Sequence, residues 1–538
     1  MMRIKRDKPA QLVPPSRRKA ALFFCQKRAP FHAAVQRNSL LFFFAGLCRK
    51  NEGTGTQKYL WEWNMQGLKL GAMVAVLSAA SLPALAETTV LNHVTVIDGT
   101  GAPAKPDSAV VMTDGKITYV GSAAGLKVPQ GARVADLSGK FVMPGLIDSH
   151  VHVGMMKDVT QDVKFYDRAN VEADLKTYAA YGVTAVQVAG TDKDVVFDVR
   201  KDLRAGRPKM ARIFTSGQGM VAKGGYGGLF GLNVPISTPE EARKSVDEQA
   251  AKGVDLIKLW IDDERKMIPV KMSYAVTKAI IDQAHKHKLK VWAHVYYLAD
   301  AKELVRQGVD GFAHIVRDQA VDKELTDMMK AKGTWQIAST LSREIVYSMA
   351  VMPWINDPFF TRGVTPGTMT ALRGPAREKA VMLGPIRVPG LPYEKRLFAD
   401  MSRTVVQAMD NYEAMVKAGV KTGMGTDSGP NGRFPGFNAH EEMAMEVMAG
   451  RTPMDAIKSA TSDNAAWLGD KSIGSIQTGK WADLVVLDED PLADIRNTKS
   501  ISAVYVAGNS VPTIWQTCRG RPSNACTGGW KDRSPTPY

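Results

Sequence analysis

The chain alternates between short apolar strands and helix-like segments, and this alternation limits the folds open to it. Eight strand-like segments of β-branched and apolar residues are found, at residues 145–153, 182–190, 211–219, 254–260, 289–296, 309–316, 334–340 and 421–429. Several follow a helix-like segment that ends in glycine, a common C-terminal signal of helices. Eight strands with intervening helices predict an α/β fold of the (β/α)8 TIM-barrel type, with an open doubly wound sheet as the alternative.

Short alternating strands flank this α/β region on both sides. Residues 87–143 and 470–511 contain alternating apolar and polar residues, separated by Asp-Gly and Gly turns. Because a β segment lies at each end of the α/β middle, we predict one small β-sandwich domain built from both ends of the chain. The barrel would then occupy residues 144–469, and residues 512–538 would form a loop-rich tail.

The beginning of the chain has the composition of a leader. The formal net charge is +16, and residues 1–64 hold 13 Lys and Arg against 3 Asp and Glu, so much of the positive excess precedes the folded part. This location argues against a nucleic-acid partner. Residues 65–86 contain a lysine, an apolar stretch, Pro83 and then Ala84-Leu85-Ala86. That order is typical of a secretory signal peptide.

We expect cleavage before Glu87 and export to the periplasm or the medium. The apolar stretch is short for a bilayer-spanning helix and Pro83 interrupts it, so a stable membrane anchor is the less favoured alternative. Residues 1–64 precede a complete leader. We expect them to be an upstream extension that is disordered or not translated.

Two cysteines remain after the predicted leader. Cys518 and Cys526 lie eight residues apart in the Pro/Gly/Ser-rich tail. In an exported protein such a pair predicts one disulfide. Zinc binding is the alternative, but the neighbouring sequence contains no further Cys or His.

Ligand-type side chains lie at the ends of five predicted strands. His150 and His152 follow the first strand, and alternate positions on a strand share one face. The later strands end in or near further candidates: Lys258, His294, His314 and Asp427. A barrel gathers its functional groups at the carboxyl ends of its strands. Each residue alone has an ordinary structural explanation, but their repetition on several strands predicts a shared site.

The residue types indicate a metal site. Imidazoles and a carboxylate suit Zn²⁺ or a similar divalent ion. Six candidate ligands exceed what one tetrahedral ion with an open position needs, whereas they suit two ions about 3.5–4 Å apart. A lysine ammonium would repel cations, so Lys258 fits only as a carbamate formed with CO₂, whose two oxygens can bridge both metals. Buried surroundings would favour the neutral amine that this reaction needs.

The segments PGLIDSHVHV, IKLW, AHVY, FAH and GTDSG, with the flanking β segments and the closing TGKWADLVVLD, resemble the metal-dependent amidohydrolase superfamily. The fourth-strand lysine and the H-x-Y sequence resemble its prolidase-like and carboxypeptidase-like branch, which includes Xaa-Pro dipeptidases and ochratoxin-hydrolysing amidases. The resemblance covers nearly all of residues 88–509 and implies a binuclear centre bridged by carboxylated Lys258. One metal would be held by His150, His152 and Asp427, and the other by His294 and His314.

The same resemblance implies a hydrolytic reaction. A metal-bridging hydroxide would attack the carbonyl of the scissile bond, and Asp427 would carry its proton to the leaving amine. Tyr296 would contact the substrate carboxylate or the carbonyl oxygen and so take part in catalysis. Arg317 would supply a cation for the carboxylate. Tyr226, in GGYGG where relatives often have GGHG, is a third candidate for substrate binding.

We therefore expect an exported metal-dependent hydrolase that removes the C-terminal residue from a dipeptide or an N-acyl amino acid. Hydrolysis of a lactone, carbamate or cyclic amide at the same centre is the alternative, and a non-catalytic binding scaffold is a remote one. Lys258 is followed by LWIDDER rather than by a Gly-rich loop, which departs from the resembled pattern. The expected partners are a small-molecule substrate and two divalent ions, with zinc expected, and a homo-oligomer is compatible with the sequence.

Overall fold

The structure is a computed structural model, and it describes residues 87–227, 231–263, 266, 268, 270–337, 339–348, 354–374, 393–430 and 432–530. The predicted upstream extension and signal peptide, residues 1–86, lie outside these ranges. Within the ranges, no helix combines the length and the apolar character that crossing a membrane requires.

Strands from both ends of the chain form one eight-stranded sheet. Its main path runs through Asn509–Val511, Ile501–Val506, Leu484–Leu487, Phe141–Pro144, Thr88–Val96, Lys105–Thr113 and Lys116–Ser122, and Arg133–Asp136 also pairs with Thr88–Val96. The two ends of the chain meet where Pro144 lies opposite Leu484 in an antiparallel pair of strands. Buried Leu91, Val110 and Val142 belong to the core of this sheet. These strands all belong to one sheet, so the predicted sandwich of two sheets is not confirmed.

The middle of the chain alternates strands and helices, which confirms the predicted α/β class. A three-stranded parallel sheet contains Leu146–Val151, Val183–Val188 and Arg212–Thr215. A six-stranded parallel sheet contains, in order, Val234–Ile236, Met220–Ala222, Ile257–Trp260, Val291–His294, Gly311–Phe312 and Trp335–Gln336. Met156–Lys157 and Thr160–Gln161 form a short antiparallel hairpin. The strands at 220–222 and 234–236 flank a Gly-rich stretch and were not predicted from the sequence.

The predicted eighth strand, residues 421–429, contacts both sheets through isolated bridges instead of forming a continuous strand. Thr422 bridges Gln336 of the six-stranded sheet, and Ser428 bridges Val151 of the three-stranded sheet, both in parallel orientation. Asp427 has a φ of 56°, in the left-handed region, which interrupts regular pairing there. In the described residues, the strands of the α/β region therefore do not pair into one continuous closed sheet.

Helices connect these strands and cover them. They span Arg168–Ala180, Val195–Ala205, Pro239–Ala251, Tyr274–Lys286, Leu298–Gln307, Lys323–Lys332, Leu341–Ser348, Pro358–Arg362, Pro366–Arg373, Tyr393–Lys417, Phe437–Met448, Pro453–Lys458 and Asn464–Leu468. Thr238 begins its helix with a capping box formed with Glu241. Gly308 and Gly333 end two helices with φ values of 99° and 72°, which glycine adopts at little cost.

The C-terminal tail is attached to the long insertion after Trp335–Gln336. Cys518 and Cys526 are joined by a disulfide. Buried Arg362, which belongs to the insertion, donates hydrogen bonds to the carbonyls of Trp515 and Cys526, at 2.9 and 3.0 Å. The tail and the insertion are thus held against each other by buried polar contacts.

Candidate metal centre

The four histidines predicted as ligands meet in one buried cluster. The ring centroids of His150 and His152 are 5.5 Å apart, those of His150 and His314 are 4.8 Å apart, and those of His314 and His294 are 4.3 Å apart. All four side chains are buried. Each follows the end of a parallel strand or forms that end, so the rigid strands bring together residues that are distant in sequence.

In His150 and His152, one ring nitrogen is held by a neighbour and the other is turned toward Asp427. His150 Nδ1 donates to the carbonyl of Ala313 at 2.9 Å, and His152 Nδ1 shares a hydrogen bond with Thr191 Oγ1 at 2.6 Å. The Nε2 atoms lie 3.6 Å and 3.0 Å from Asp427 Oδ1. A histidine ligand is commonly fixed in this way, with the far nitrogen bonded to an outer partner.

His294 and His314 have comparable outer partners. His294 Nε2 lies 3.3 Å from Asp262 Oδ2, and both side chains are fully buried. His314 Nδ1 shares a hydrogen bond with Thr340 Oγ1 at 3.2 Å. Asp262 and Thr340 were not predicted from the sequence, although Asp262 lies in the LWIDDER segment that departs from the resembled pattern.

Burial favours the uncharged form of His150, His152 and His314, which is the form that binds a metal. Loss of hydration lowers the pKa of His150 and of His314 well below the usual value for histidine. It also lowers the pKa of His152, against the opposing effect of the Asp427 carboxylate. A cluster of neutral donors is what a divalent cation requires.

Asp427 faces this cluster with one of its two carboxylate oxygens. Donor atoms of His150, His152 and Asp427 lie within 4.8 Å of one another, close enough to share one ion. The Asp427 backbone N–H donates to the carbonyl of His150 at 2.7 Å, which fixes the register between the two segments. These three residues match the predicted ligand set of the first metal.

Two arginines that were not predicted from the sequence hold the other oxygen of Asp427. Arg343 Nε donates to Asp427 Oδ2 at 2.8 Å, and Arg433 Nη1 donates to the same atom. Burial alone would raise the pKa of Asp427, but Arg433, His150 and His152 outweigh it and hold the pKa well below the usual range. The carboxylate is therefore charged and its orientation is fixed.

Lys258 is buried beside the cluster between two indole rings. Its Nζ lies 4.3 Å from the ring centroid of Trp292 and 4.9 Å from that of Trp260. In the part of the chain that the structure describes, this Nζ has no hydrogen-bond partner. Burial lowers the pKa of Lys258 to about 7. An amine in these surroundings is available in its neutral form, as the carbamate hypothesis requires.

A cavity opens onto the cluster. It is lined by the four histidines and Asp427, together with Met155, Gln161, Thr191, Tyr226, Trp260, Pro430 and Arg433. Tyr226, predicted to bind substrate, therefore lies at the cavity, and its ring centroid is 5.2 Å from that of His294. Its position agrees with a role in substrate binding, which stays a prediction.

Tyr296 and Arg317 lie together outside this lining. The Arg317 guanidinium carbon is 4.9 Å from the ring centroid of Tyr296. Arg317 is buried, and its Nη1 donates to the carbonyls of Val295 and Ile315 at 3.0 and 2.9 Å. The predicted substrate contacts of Tyr296 and Arg317 stay predictions.

A second cavity adjoins the first and shares Pro430 and Arg433 with it. Its other walls come from residues 156–159, from the insertion at 364–368 and from Arg519 in the tail. Arg519 Nη2 donates to Asp174 Oδ1 at 3.1 Å. The tail that carries the disulfide thus contributes an arginine, paired with Asp174, to the wall of the second cavity.

Comparisons with known proteins identify similar chains. The model of the Amidohydrolase family matches residues 141–511, which include all six candidate ligands. An ochratoxinase from Aspergillus niger is 23% identical over 465 residues, covering 79% of this chain and 86% of that protein. An imidazolonepropionase from Streptomyces griseus is 26% identical over 439 residues, covering 78% and 97%. The crystal structure of a proposed prolidase from Bifidobacterium longum has a TM-score of 0.63 at 25% identity, covering 81% of this chain and 97% of that one.

Proposed function

The chain belongs to the Amidohydrolase family, and on this premise we propose that it uses two divalent cations to cleave an amide or peptide bond in a small-molecule substrate. The family and the class of enzyme, a hydrolase, are those predicted from the sequence. The observation that carries the proposal is the buried cluster of four histidines beside the Asp427 carboxylate.

The donor set fits two cations better than one. We assign the first cation to His150, His152 and Asp427, and the second to His294 and His314. Such ions, when bound, polarise a scissile carbonyl and activate a water molecule at neutral pH. Zinc suits neutral imidazoles with a carboxylate.

The assignment requires the first strand and residues 421–429 to stay side by side. The bridges of Thr422 to Gln336 and of Ser428 to Val151 support this arrangement. We propose that they complete a (β/α)8 barrel in which residues 421–429 act as the eighth strand.

Lys258 is assigned as the bridging ligand after carboxylation. Its neutral amine would add to CO₂ through a new N–C bond and release a proton, which yields a carbamate anion. The apolar indole walls and the absence of a hydrogen-bond partner in the described chain support this assignment. An unmodified ammonium beside two cations would be repelled.

We assign roles in the reaction to side chains from where they lie relative to the histidines and the cavity. Asp427 Oδ1 is the carboxylate oxygen turned toward the histidines, so we assign proton transfer from water to the leaving amine to this atom. Tyr226 lines the cavity beside His294 and would contact the substrate. Tyr296 does not line this cavity, so its proposed catalytic contact requires a substrate that extends beyond the cavity.

The substrate class is a dipeptide or an N-acyl amino acid from which the C-terminal residue is released. Arg433 lines both cavities beside its partner Asp427, and Arg519 lines the second beside its partner Asp174; we propose that these guanidinium groups would bind a substrate carboxylate. The similarity to a proposed prolidase supports a peptide bond.

We propose that the protein is exported after cleavage before Glu87. Cleavage would turn the Glu87 nitrogen into an ammonium group, and this nitrogen lies 3.2 Å from Asp114 Oδ1. The disulfide between Cys518 and Cys526 agrees with an oxidising compartment. N-terminal sequencing of the exported protein should begin at Glu87, and an uncleaved chain in the cytoplasm would contradict export.

The function is tested by metal analysis together with a substrate panel. The purified protein should hold two equivalents of metal and release the C-terminal amino acid from dipeptides or N-acyl amino acids. Lactones, carbamates and cyclic amides belong on the same panel, since turnover restricted to them would favour the alternative bond. Removal of metal with a chelator should abolish hydrolysis, and added Zn²⁺ should restore it.

A pair of histidine variants provides the control. His294→Ala should lose metal and activity, because His294 belongs to the cluster. His285→Ala should keep both, because His285 is exposed and pairs with Asp310 at 2.9 Å. Full hydrolysis by protein from which all metal has been removed would overturn the proposal.

A further inference from the structure

Asp427 belongs to a row of buried charges that continues away from the histidines. Its Oδ2 accepts hydrogen bonds from Arg343 and Arg433, while its Oδ1 faces the cluster. Arg343 is only 2% exposed and is one of the largest fully buried side chains among the described residues. A guanidinium buried this deeply needs anionic partners, and Asp427 is one of them.

Glu344 is the second anionic partner and extends the row. Arg343 Nη1 donates to Glu344 Oε1 at 2.6 Å, and Arg317 Nε lies 3.0 Å from the same oxygen. Both Glu344 and Arg317 are almost completely buried. The five side chains Arg433, Asp427, Arg343, Glu344 and Arg317 alternate in sign, and we name this set the buried charge row.

The far end of the buried charge row reaches the other half of the metal cluster. Arg317 Nη1 donates to the carbonyls of Val295 and Ile315. These residues directly follow His294 and His314, the two histidines assigned to the second cation. One guanidinium therefore fixes the backbone beside both histidines, while Asp427 at the other end belongs to the first cation.

Two features of the row separate it from ordinary surface ion pairs. Charges in a buried row are weakly screened, and removal of one leaves its partners without compensation. The row also connects Asp427, a candidate ligand, with the backbone that directly follows His294 and His314. A change in the middle of the row is therefore expected to move both ends.

We propose that Arg343, Glu344 and Arg317 are positioning residues that hold the two halves of the metal centre in register. This inference rests on the proposed function, because it requires two bound cations. It assigns Arg317 to the support of His294 and His314, in place of the contact with a substrate carboxylate predicted from the sequence. None of the three residues needs to touch the substrate or a metal.

The test is the metal affinity of Glu344→Gln, measured by competition with a chromophoric chelator for Zn²⁺. Removal of an outer partner of a metal ligand typically weakens metal binding about 10–100-fold. Because the row connects both halves, we expect both metal equivalents of Glu344→Gln to weaken by about this factor. Glu441→Gln is the matched control, since Glu441 forms a buried ion pair with Lys499 outside the row.

Conservative variants keep the test informative if Glu344→Gln folds poorly. Arg343→Lys retains the charge but not the fork that contacts Asp427 and Glu344 together, so it should bind metal more tightly than Arg343→Gln and more weakly than the wild type. The thermal midpoint of each variant saturated with Zn²⁺ separates loss of fold from loss of metal.

The outcomes distinguish this inference from the proposed function. Wild-type metal affinity in both Glu344→Gln and Arg343→Gln would overturn the inference and leave the hydrolase standing. Equal losses of metal affinity in Glu344→Gln and Glu441→Gln would also overturn it, because the effect would then be general. A wild-type protein that binds no metal would overturn both proposals.

Discussion

The Oδ2 atom of Asp262 lies 3.3 Å from the Nε2 atom of His294, with both side chains fully buried. With Nε2 beside Asp262, we infer that Nδ1 is the ring nitrogen of His294 that would face a cation. In the remaining three histidines Nδ1 is the nitrogen held by an outer partner. His294 therefore differs from the other three histidines, because its outer partner, Asp262, lies at Nε2 and not at Nδ1.

Asp262→Asn should weaken one of the two metal equivalents about 10-fold or more and leave the other unchanged. The reason is that Asp262 contacts His294 but is absent from the first-metal group of His150, His152 and Asp427. Stepwise Zn²⁺ titration measures this difference. Asp263→Asn is the matched control, because the neighbouring Asp263 accepts a hydrogen bond from Tyr297 instead. Equal weakening of both equivalents would contradict the assignment.

Gly429→Ala should reduce metal binding, because the added Cβ would overlap the carbonyl oxygen of His152. Gly419→Ala provides the comparison, since Gly419 also has a positive φ but has open space around it. Both variants should lose about 1–2 kcal/mol of stability from backbone strain, and Gly429→Ala should lose more because its Cβ overlaps the His152 carbonyl oxygen. Only Gly429→Ala should lose Zn²⁺ affinity as well. Equal Zn²⁺ affinity in the two variants would show that the backbone of His152 tolerates displacement.

Lys258→Ala should lower kcat at least about 100-fold, more than is typical for loss of an outer partner. If the missing group is a bridging carboxylate, acetate or formate in the buffer should restore part of the activity, since each supplies a carboxylate small enough for the vacated space. Lys290→Ala is the control, because Lys290 also lies against an indole ring, that of Trp467, but outside the cluster. Activity of Lys258→Ala equal to that of the wild type would remove the bridging role.

The sequence predicts the part of the site that is encoded locally. His150, His152, His294 and His314 each lie at or just beyond the end of an apolar strand, and strand ends on one edge of a parallel arrangement converge. The α/β class follows from the same alternation. For these features short segments of sequence contain the necessary information.

The remaining features depend on packing between segments that are distant in sequence. Arg343 lies 84 residues before Asp427 and belongs to a long insertion without a motif, so no pattern connects the two. From the sequence, Asp262 has the features of a polar loop residue. Only the folded structure shows that it is buried beside His294. The eighth predicted strand forms only isolated bridges, at Thr422 and Ser428, and Asp427 between them adopts a positive φ. Such effects arise only when the whole chain is folded.

The disulfide of the tail should contribute about 2–3 kcal/mol to the free energy of unfolding, as expected for a loop of this length. Denaturant unfolding of the Cys518→Ser, Cys526→Ser double variant measures this contribution. Reductant should destabilise the wild type by a similar amount and leave the double variant unchanged. A wild type that is insensitive to reductant would mean that the contacts of Arg362 with the tail suffice.

The most direct test of the account is anomalous diffraction at the zinc absorption edge from crystals of the protein loaded with Zn²⁺. We expect two peaks about 3.5–4 Å apart, at ligand distance from the four histidines and Asp427. Electron density for a carbamate on Lys258 should lie between them. Density maps without any metal peak among His150, His152, His294 and His314 would contradict the central claim.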